Sequence, residues 1–499
     1  MTGTRGLVDR ASALFEEWRG SAPDDVSPVA GDGSARRYWR LTGPDGATAL
    51  GAYGPDRDEN RAFVAFSRTF REIGLRVPEL YAVDEASGVW LLEDLGDRTL
   101  FEMLRMAREP YDDRFPETML PIYRRVLEEL PRFQVLGGQS IDFRIAYPRA
   151  AFDRQSILWD LNYFKYHFLK LAHLPFNEAK LEKDFGRLAR FLLTAETGHF
   201  LYRDFQSRNV MVRDGADGPE PWFIDYQGGR RGALQYDVAS LLYDAKVNLD
   251  DGLRAHLLDH YLEALASHHA IDRSAFLETW PGYVLVRILQ ALGAYGYRGF
   301  FERKPRFLQS VPYAAKNLAG LLDAGLPLNV PELETALTRI VERWGESVST
   351  DTVDDTLTVS TGSFRFSGGY PQDTSGHGGG YVFDCRGLTN PGREEEYRRL
   401  TGLDRRTISF LEGRPEVEAF WDRVRTLVDA HVVEYRERGF SHLSVYFGCT
   451  GGQHRSVYFA ERLAAHLRDV CPDVGVNVVH RESADWPRPR GSEGRPCRQ

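Results

Sequence analysis

The pattern of hydrophobic and polar residues divides this chain of 499 residues into three parts. Residues 1–90 begin with an amphipathic segment of helical period and continue with short β-prone runs, so one helix followed by strands and turns is predicted there. From about residue 98 to 345 the helical period dominates. Two strand-like segments interrupt it, HFLYRDF and PWFIDYQ.

The third part alternates between the two periods. TLTVSTGSFRF and HLSVYFG have the pattern of strands, whereas EVEAFWDRVRTL and VYFAERLAAHLRD have the pattern of helices. This order predicts a small α/β domain at residues 356–482. Residues 344–355 lack hydrophobic periodicity and are predicted to be a linker, and residues 483–499 are predicted to be a flexible tail.

Composition excludes several classes of protein. Hydrophobic residues make up 42% and charged residues 27% of the chain, as in an average globular protein, which excludes a fibrous or wholly disordered chain. No apolar run reaches the ~18 residues of a membrane span, and the N-terminus lacks the apolar core of a secretory signal. The four cysteines all follow residue 384, which argues against a disulfide framework. We therefore expect a cytoplasmic protein with no membrane partner.

The net charge of −9 bears on nucleic-acid binding. A protein that binds nucleic acid over much of its surface is usually basic. The acidic excess lies before residue 356, and the rest of the chain is close to neutral. An RNA or protein partner therefore remains an alternative, but the net charge does not support one.

The first candidate site is formed by three polar residues in the strand-like interruptions. Asp204 and Asn209 lie in LYRDFQSRNV with the spacing D-x4-N, and Asp225 follows the β-prone run PWFI. Phosphoryl transfer needs a carboxylate beside the acceptor hydroxyl and oxygen ligands for the Mg²⁺ ions that neutralise the phosphates. The spacing predicts that the three residues surround one metal–nucleotide centre.

The segments around these residues resemble the aminoglycoside phosphotransferase superfamily, and most closely its N-acetylmuramate and N-acetylglucosamine kinases. The resemblance runs through most of residues 30–325 and includes GDGSARRYWR, RVPELYAVDEASGVWLLEDLGD, YRDFQSRNVM, FIDYQG and YDVASLLYDA. It implies an α+β, protein-kinase-like bilobal phosphotransferase domain. The kinase-like N-lobe would be residues 1–97, and the helical C-lobe residues 98–343.

The resemblance also implies roles for the three polar residues. Asp204 would be the catalytic base, and Asn209 and Asp225 would be ligands of Mg²⁺. ATP would be the co-substrate, and a hydroxyl of a sugar or amino sugar would be the acceptor.

The chain departs from this family at two places. Tyr202 stands where the catalytic loop usually has histidine, and its hydroxyl is expected to support the loop by hydrogen bonding. These kinases hold the nucleotide phosphates with a strand lysine, but no lysine precedes Lys165. Either Arg36, Arg37 or Arg40 supplies that charge, or all three are solvated strand residues. Because GDGS also lacks the full G-x-G-x-x-G pattern, a non-catalytic nucleotide-binding regulator is the alternative.

The second candidate site is the loop GCTGGQHRS, residues 448–456, between a predicted strand and a predicted helix. Small residues at a helix N-terminus let backbone N–H groups face an anion, and Arg455 would add a charged clamp. The same residues spell C-x-x-G-x-x-R-S, the pattern of cysteine-dependent phosphatases, in which a thiolate attacks phosphate. A phosphatase at Cys449 and a plain glycine turn therefore remain alternatives.

This loop and the segment FDCRGLTNPGREEEYRRLTGLD together resemble the C-terminal domain of the RapZ RNase adaptor family, over residues 356–482. In that family the domain binds glucosamine-6-phosphate. Gly392 and Gln453 stand where histidine and lysine are typical, so a somewhat different ligand is expected. The resemblance implies a sugar-phosphate or anion pocket made of Asp384, Cys449, Thr450, Gly451 and Arg455.

Overall fold

The computed structural model describes residues 4–29, 35–108, 114–216, 218–345, 357–371, 380–437, 440 and 442–487. The chain divides into two compact units, one from residues 1–297 and 309–351 and one from residues 298–308 and 352–499. The predicted linker lies outside the described residues from 346 onward, as do the predicted tail from 488 and the GDGS loop. Among the helices described, none combines the length and the apolar character that crossing a bilayer would require.

The first unit contains most of the helices, and the strands are shared between the two units. The helices are α1 (Thr4–Arg19), α2 (Arg57–Glu72), α3 (Leu100–Ala107), α4 (Leu120–Pro131), α5 (Gly138–Ser140), α6 (Arg154–Phe164), α7 (Glu178–Leu192), α8 (Gln235–Leu242), α9 (Asp251–Ala266), α10 (Arg273–Gly296), α11 (Val311–Ala324), α12 (Pro331–Trp344), α13 (Arg405–Glu412), α14 (Pro415–Glu437) and α15 (Arg455–Val470). The strands are β1 (Asp25–Val29), β2 (Arg37–Thr42), β3 (Thr48–Tyr53), β4 (Leu80–Asp84), β5 (Val89–Glu93), β6 (His199–Leu201), β7 (Val210–Gly215), β8 (Gly218–Phe223), β9 (Arg230–Gly232), β10 (Thr358–Arg365), β11 (Gly380–Asp384), β12 (His442–Cys449) and β13 (Gly475–His480).

The first unit begins with a five-stranded antiparallel sheet in the order β1-β2-β3-β5-β4. α1 packs its apolar stripe, which includes Leu14 and Phe15, against one face of this sheet. The strand β3 carries glycine at position 51 because a Cβ there would lie 2.9 Å from the Cβ of Ala11. The close approach of α1 to the sheet therefore depends on Gly51.

The helix α2 was not predicted, and the expectation of only strands and turns after α1 is wrong for this segment. Asp56 caps α2, because its carboxylate accepts hydrogen bonds from the N–H groups of Asp58 and Glu59. Phe66 and Phe70 recur at helical spacing and are fully buried. The helix signal is present in the sequence, but it is masked by the seven charged residues of RDENRAFVAFSRTFRE.

The helical part of the first unit contains two short strand pairs, β6 with β9 and β7 with β8. The polar loop residues of the first candidate site follow β6 and β8. Apolar residues of α2, α4, α8 and the strands β6, β7 and β8 form one continuous core. A sheet followed by a helical region is the predicted α+β arrangement, which is confirmed.

The second unit contains a four-stranded parallel sheet in the order β11-β12-β10-β13. Val359, Val445 and Phe447 from its strands pack against Trp421 of α14 and Phe459 of α15. The carboxyl ends of parallel strands meet at one edge of a sheet, and the loop of the second candidate site lies there. The predicted small α/β domain is confirmed.

Candidate functional site

The loop after β6 is held by a buried carboxylate. Asp237, in the first turn of α8, accepts hydrogen bonds from the backbone N–H groups of Tyr202 (2.8 Å) and Arg203 (3.0 Å). The amide of Gln134 donates a third, at 3.3 Å. Arg203 has a φ of +86°, which a residue with a side chain rarely adopts, and these bonds stabilise it. The turn at Arg203 fixes the direction in which the chain reaches Asp204.

Two side chains of this loop also bind neighbouring segments. The Tyr202 hydroxyl donates a hydrogen bond to the carbonyl oxygen of Ile224 at 2.6 Å, so the supporting bond expected of it is present. The Arg203 guanidinium donates to the carboxylate of Asp160 on α6 at 2.7 Å and to the hydroxyl of Tyr236 at 2.8 Å. The loop is therefore connected to three different elements.

Asn209 links the three predicted residues. Its Nδ2 donates to the backbone carbonyl oxygen of Asp204 at 2.9 Å and to Oδ2 of Asp225 at 3.2 Å. Asp225 has a φ of +68°, and its Oδ1 accepts a hydrogen bond from the Gln227 amide at 2.6 Å. All three predicted residues are half-buried and lie together, although their chemical roles stay predictions.

The electrostatics of this centre favour a cation. Burial raises the pKa of Asp225, and the negative charge of Asp204 raises it further, whereas the Gln227 hydrogen bond and the charge of Arg36 oppose the shift. A divalent cation would offset the repulsion between the two carboxylates. Carboxylate and amide oxygens are the ligands that Mg²⁺ prefers. The oxygen donors of Asn209 and Asp225, with the charge of Asp204 beside them, therefore fit Mg²⁺.

Arg36 lies beside this centre. It is buried, with its guanidinium 3.4 Å from the carboxylate of Glu59 on α2. The same group lies over the rings of Phe63 and Trp90, at 5.5 and 5.6 Å from their centroids. Its positive charge acts on Asp225 and opposes the rise in the pKa of that carboxyl.

Arg37 and Arg40 have other partners. Arg37 is exposed and donates to the hydroxyl of Thr4, at the start of α1, at 2.6 Å. Arg40 forms ion pairs with Asp94 (2.7 Å) and Asp97 (2.8 Å), in the segment after β5. Of the three candidate arginines, Arg36 thus acts on the predicted metal–nucleotide centre, whereas Arg37 and Arg40 bind other segments.

Asp237 gives a testable pH dependence. Burial raises its pKa to about 7, against the hydrogen bonds from Tyr202, Arg203 and Gln134. An aspartate of the unfolded chain titrates near ~3.9. The folded state therefore holds an extra proton between about pH 4 and about pH 7, and the stability that this proton contributes is lost as the pH rises through that window.

We expect Asp237→Asn to lose this dependence. The free energy of unfolding of the parent minus that of the variant, measured by urea denaturation, should fall between about pH 5 and about pH 7.5. Asp214→Asn, at a site where the side chain is 81% exposed, is the control. A difference between parent and Asp237→Asn that does not change with pH would contradict the shift.

The second candidate site lies where β11 and β12 end. These strands are parallel neighbours, with Asp384 opposite Gly448, so Asp384 and Cys449 reach the same edge of the sheet. Residues 450–454 connect Cys449 to α15, which begins at Arg455. The loop is therefore followed directly by a helix N-terminus.

The Cys449 thiol is buried and hydrogen-bonded. Its Sγ lies 3.0 Å from the Ser456 hydroxyl and accepts from the N–H of Gly452 at 3.2 Å. Burial raises the pKa of Cys449, but the hydroxyl and N–H of Ser456, the N–H of Gly451 and the charge of Arg455 outweigh it. The pKa of the thiol therefore lies below its usual value.

Arg455 is buried beneath the loop. Its Nη1 donates to the carbonyl oxygens of Arg386 (3.0 Å) and Leu388 (2.7 Å), and its Nη2 to the hydroxyl of Thr450 at 3.4 Å. Its buried Nε has no hydrogen-bond partner in the described part of the chain. Thr450 and Gly451 are exposed above it. Four of the five predicted pocket residues thus lie around one loop, with Asp384 on the adjacent strand.

Sequence reasoning misses three neighbours of these sites, Glu59, Gln227 and Arg386. Arg386 donates to both oxygens of Asp384, at 2.7–3.0 Å, and holds the pKa of that carboxyl below its usual value. Gln227 and Arg386 each follow a predicted acidic residue by two positions, which is a signal that could have been used. Glu59 could not be found while α2 was unpredicted.

Two family models match the chain. The model described as the phosphotransferase enzyme family matches residues 25–273, and the model of the RapZ C-terminal domain matches residues 357–484. The first match contains the first candidate site, and the second match contains the second candidate site, the loop at Cys449.

Curated relatives match part of the chain. A "nucleotide-binding protein" of Halorhodospira halophila is 44% identical over 126 residues, which are 25% of this chain and 42% of the relative. The chain thus spans less than half the length of this relative, and 35% of that of a second one, from Dinoroseobacter shibae. A "nucleotide-binding protein" of Methylobacillus flagellatus is 32% identical over 266 residues, which are 48% of this chain and 92% of the relative.

Solved structures similar to the chain include two kinases. Choline kinase LicA from Streptococcus pneumoniae is 14% identical with a TM-score of 0.42, and the similarity covers 64% of this chain and 98% of that one. The amicoumacin kinase hAmiN is 12% identical with a TM-score of 0.41, covering 71% and 96%. From the two family matches and its own architecture, this chain belongs to the phosphotransferase enzyme family through residues 25–273 and carries a RapZ C-terminal domain at residues 357–484.

Proposed function

We propose that the first domain is a kinase that transfers the γ-phosphoryl group of ATP to a hydroxyl of a sugar or amino sugar. The observation that carries the proposal is the joint placement of Asp204, Asn209 and Asp225, linked by the two hydrogen bonds of one amide group. Phosphoryl transfer depends mainly on positioning and charge stabilisation, and this centre would supply a base and metal ligands from two segments, one after β6 and one after β8.

Each residue has a defined part in the reaction. The Asp204 carboxylate accepts the proton of the acceptor hydroxyl as its oxygen bonds to the γ-phosphorus and the bond to the leaving ADP oxygen breaks. Asn209 and Asp225 would hold Mg²⁺, which when bound neutralises phosphate charge. The hydrogen bonds that Asp237 accepts from the backbone N–H groups of Tyr202 and Arg203 would keep Asp204 in place during this transfer.

Arg36 takes the part of the strand lysine in this proposal. Its buried guanidinium is oriented by the Glu59 carboxylate and by two aromatic rings, and its charge already acts on Asp225. An arginine in this position can bind phosphate oxygens with two parallel N–H groups. We therefore assign nucleotide phosphate binding to Arg36 rather than to Arg37 or Arg40.

The second domain would bind a phosphorylated amino sugar as product, regulator or signal. A helix N-terminus, the exposed backbone at Gly451 and the buried charge of Arg455 form an arrangement suited to phosphate. The family resemblances of both domains point to amino sugars, which supports one ligand class for the whole chain.

The proposal is tested by ADP release. Full-length protein with Mg²⁺ and ATP is incubated with glucosamine, N-acetylglucosamine, N-acetylmuramate and simple hexoses, and ADP is measured in a coupled assay. Sugar-dependent release is the expected result. Bound nucleotide without release for any sugar would overturn the kinase assignment and favour a nucleotide-binding regulator.

Arg455→Met tests the proposed pocket. Glucosamine-6-phosphate and inorganic phosphate are titrated calorimetrically into the full chain. Hydrogen bonds to charged groups contribute roughly 1.5–3 kcal/mol, so the variant should bind the sugar phosphate about 10- to 150-fold more weakly. Arg468→Met, at the exposed end of the same helix, should bind like the parent.

Thr450→Val keeps the buried guanidinium and removes only the exposed hydroxyl, so it tests the pocket even if Arg455→Met is unstable. Equal affinity in the parent and both pocket variants would exclude this binding site. Hydrolysis of an aryl phosphate that is lost in Cys449→Ser would instead identify a phosphatase, in which a thiolate forms the phosphoenzyme.

A further inference from the structure

Three side chains outside both sites converge at the start of β6. Glu196 follows α7, His199 is the first residue of β6, and His269 follows α9. One ligand atom of each lies within 4.8 Å of the others. The cluster therefore joins three segments that are distant in the sequence.

The distances resemble those of a coordination shell. The Nε2 atom of His199 lies 3.1 Å from Oε1 of Glu196, and Nε2 of His269 lies 3.3 Å from Oε2 of the same carboxylate. Donor atoms of a tetrahedral zinc site with bonds of about 2.0–2.1 Å are roughly 3.3 Å apart. Each imidazole nitrogen thus lies at about this distance from one oxygen of the Glu196 carboxylate, and one ligand atom of each of the three residues lies within 4.8 Å of the other two.

A second observation separates this cluster from an ordinary ion pair. The His199 side chain is only 9% exposed, yet its Nε2 is buried without a hydrogen-bond partner in the residues that the structure describes. A buried ring nitrogen that lies 3.1 Å from a carboxylate oxygen without donating or accepting a hydrogen bond costs free energy. A cation between the two atoms removes that cost.

We propose that Glu196, His199 and His269 bind one late first-row divalent cation, such as Zn²⁺. Two imidazoles and one carboxylate are a common zinc ligand set, with a fourth position for water. The side chain of Glu196 is 60% exposed, so the ion can enter from solvent. Because the residues of this set are not part of the phosphotransfer centre, the proposal is independent of the proposed kinase activity.

Binding of the cation should stabilise the folded chain near the predicted catalytic loop. His199 lies three residues before Tyr202, at the start of the strand that leads into the catalytic loop. A cation that joins this strand to the ends of α7 and α9 binds the folded chain in preference to the unfolded one. It should therefore raise the thermal unfolding midpoint as its concentration exceeds the dissociation constant.

The test uses the full chain, treated with chelator and kept free of Mg²⁺. Co²⁺ is titrated while visible absorption is recorded, and Zn²⁺ is then added to displace it. We expect one Co²⁺ per chain with the intense band of a four-coordinate site, its displacement by Zn²⁺, and a rise in the unfolding midpoint with Zn²⁺. The oxygen ligands around Asp225 would give only weak absorption, and a site at Cys449 would add a sulfur charge-transfer band.

His269→Ala should weaken binding by at least about 100-fold, since the loss of even an outer partner of a metal ligand costs about 10- to 100-fold. Glu196→Gln, at an exposed position, should also weaken it without endangering the fold. His268→Ala removes an exposed neighbouring histidine and should bind like the parent. No stoichiometric binding by the parent, or binding that is unchanged in both His269→Ala and Glu196→Gln, would overturn the proposal.

Discussion

Asp204→Asn is expected to lower kcat for sugar-dependent ADP formation by about 10²- to 10⁴-fold, the usual contribution of a general base. The amide keeps the size of the carboxylate but cannot accept the hydroxyl proton. The backbone at this position is held by Asn209 and by the turn at Arg203, not by the Asp204 side chain, so the fold should persist. Steady-state kinetics on the best sugar of the panel give the ratio.

Two further measurements make this result specific. Asp204→Asn should still bind ATP in equilibrium dialysis, because the role proposed for Asp204 is to accept the proton of the acceptor hydroxyl and not to bind the nucleotide. Asp214→Asn changes the same residue type at an exposed position in the next strand and should keep parental kcat. A fully active Asp204→Asn would show that another group takes the proton.

Arg36→Met should raise the KM for ATP and lower kcat, with an overall loss in kcat/KM of about 10- to 150-fold. This range follows from the roughly 1.5–3 kcal/mol that hydrogen bonds to charged groups contribute. Methionine fills the space against Phe63 and Trp90, so the loss reports the charge rather than a cavity. Arg36→Lys should recover part of the activity, because it restores the charge without the second N–H arm.

Arg37→Met is the matched control for this experiment. It alters the adjacent arginine, whose partner is Thr4 on the opposite side of the sheet, and should leave the KM for ATP unchanged. If Arg37→Met were impaired and Arg36→Met were not, the assignment of the phosphate-binding arginine would have to be reversed.

The grouping of Asp204, Asn209 and Asp225 could be predicted from the sequence because its signals are local. Asp204 and Asn209 lie within one loop, and Asp225 ends the next β-prone run, so spacing alone places them near one another. The position of the loop at Cys449 could be predicted for the same reason, because hydrophobic periodicity identifies the strand before it and the helix after it. Both predictions depend on short-range geometry.

The choice among Arg36, Arg37 and Arg40 could not be made from the sequence. The three residues lie within five positions of one another and have the same side chain, and what separates them is tertiary contact. Glu59 and two aromatic rings surround the first, whereas Asp94 binds the third. Glu59 lies on α2, a helix that was not predicted because its many charged residues obscure the apolar pattern in the sequence.

The hydrogen bond between Tyr202 and Ile224 joins the loop after β6 to the strand end that carries Asp225. Burial holds the pKa of this phenol well above its usual value, so the hydroxyl stays protonated and neutral throughout physiological pH. A histidine at this place would gain a positive charge when the interior of a cell acidifies. The bond between this loop and the strand end therefore persists as the pH changes, so a pH dependence of the loop is expected from Asp237, whose pKa is raised to about 7, and not from Tyr202.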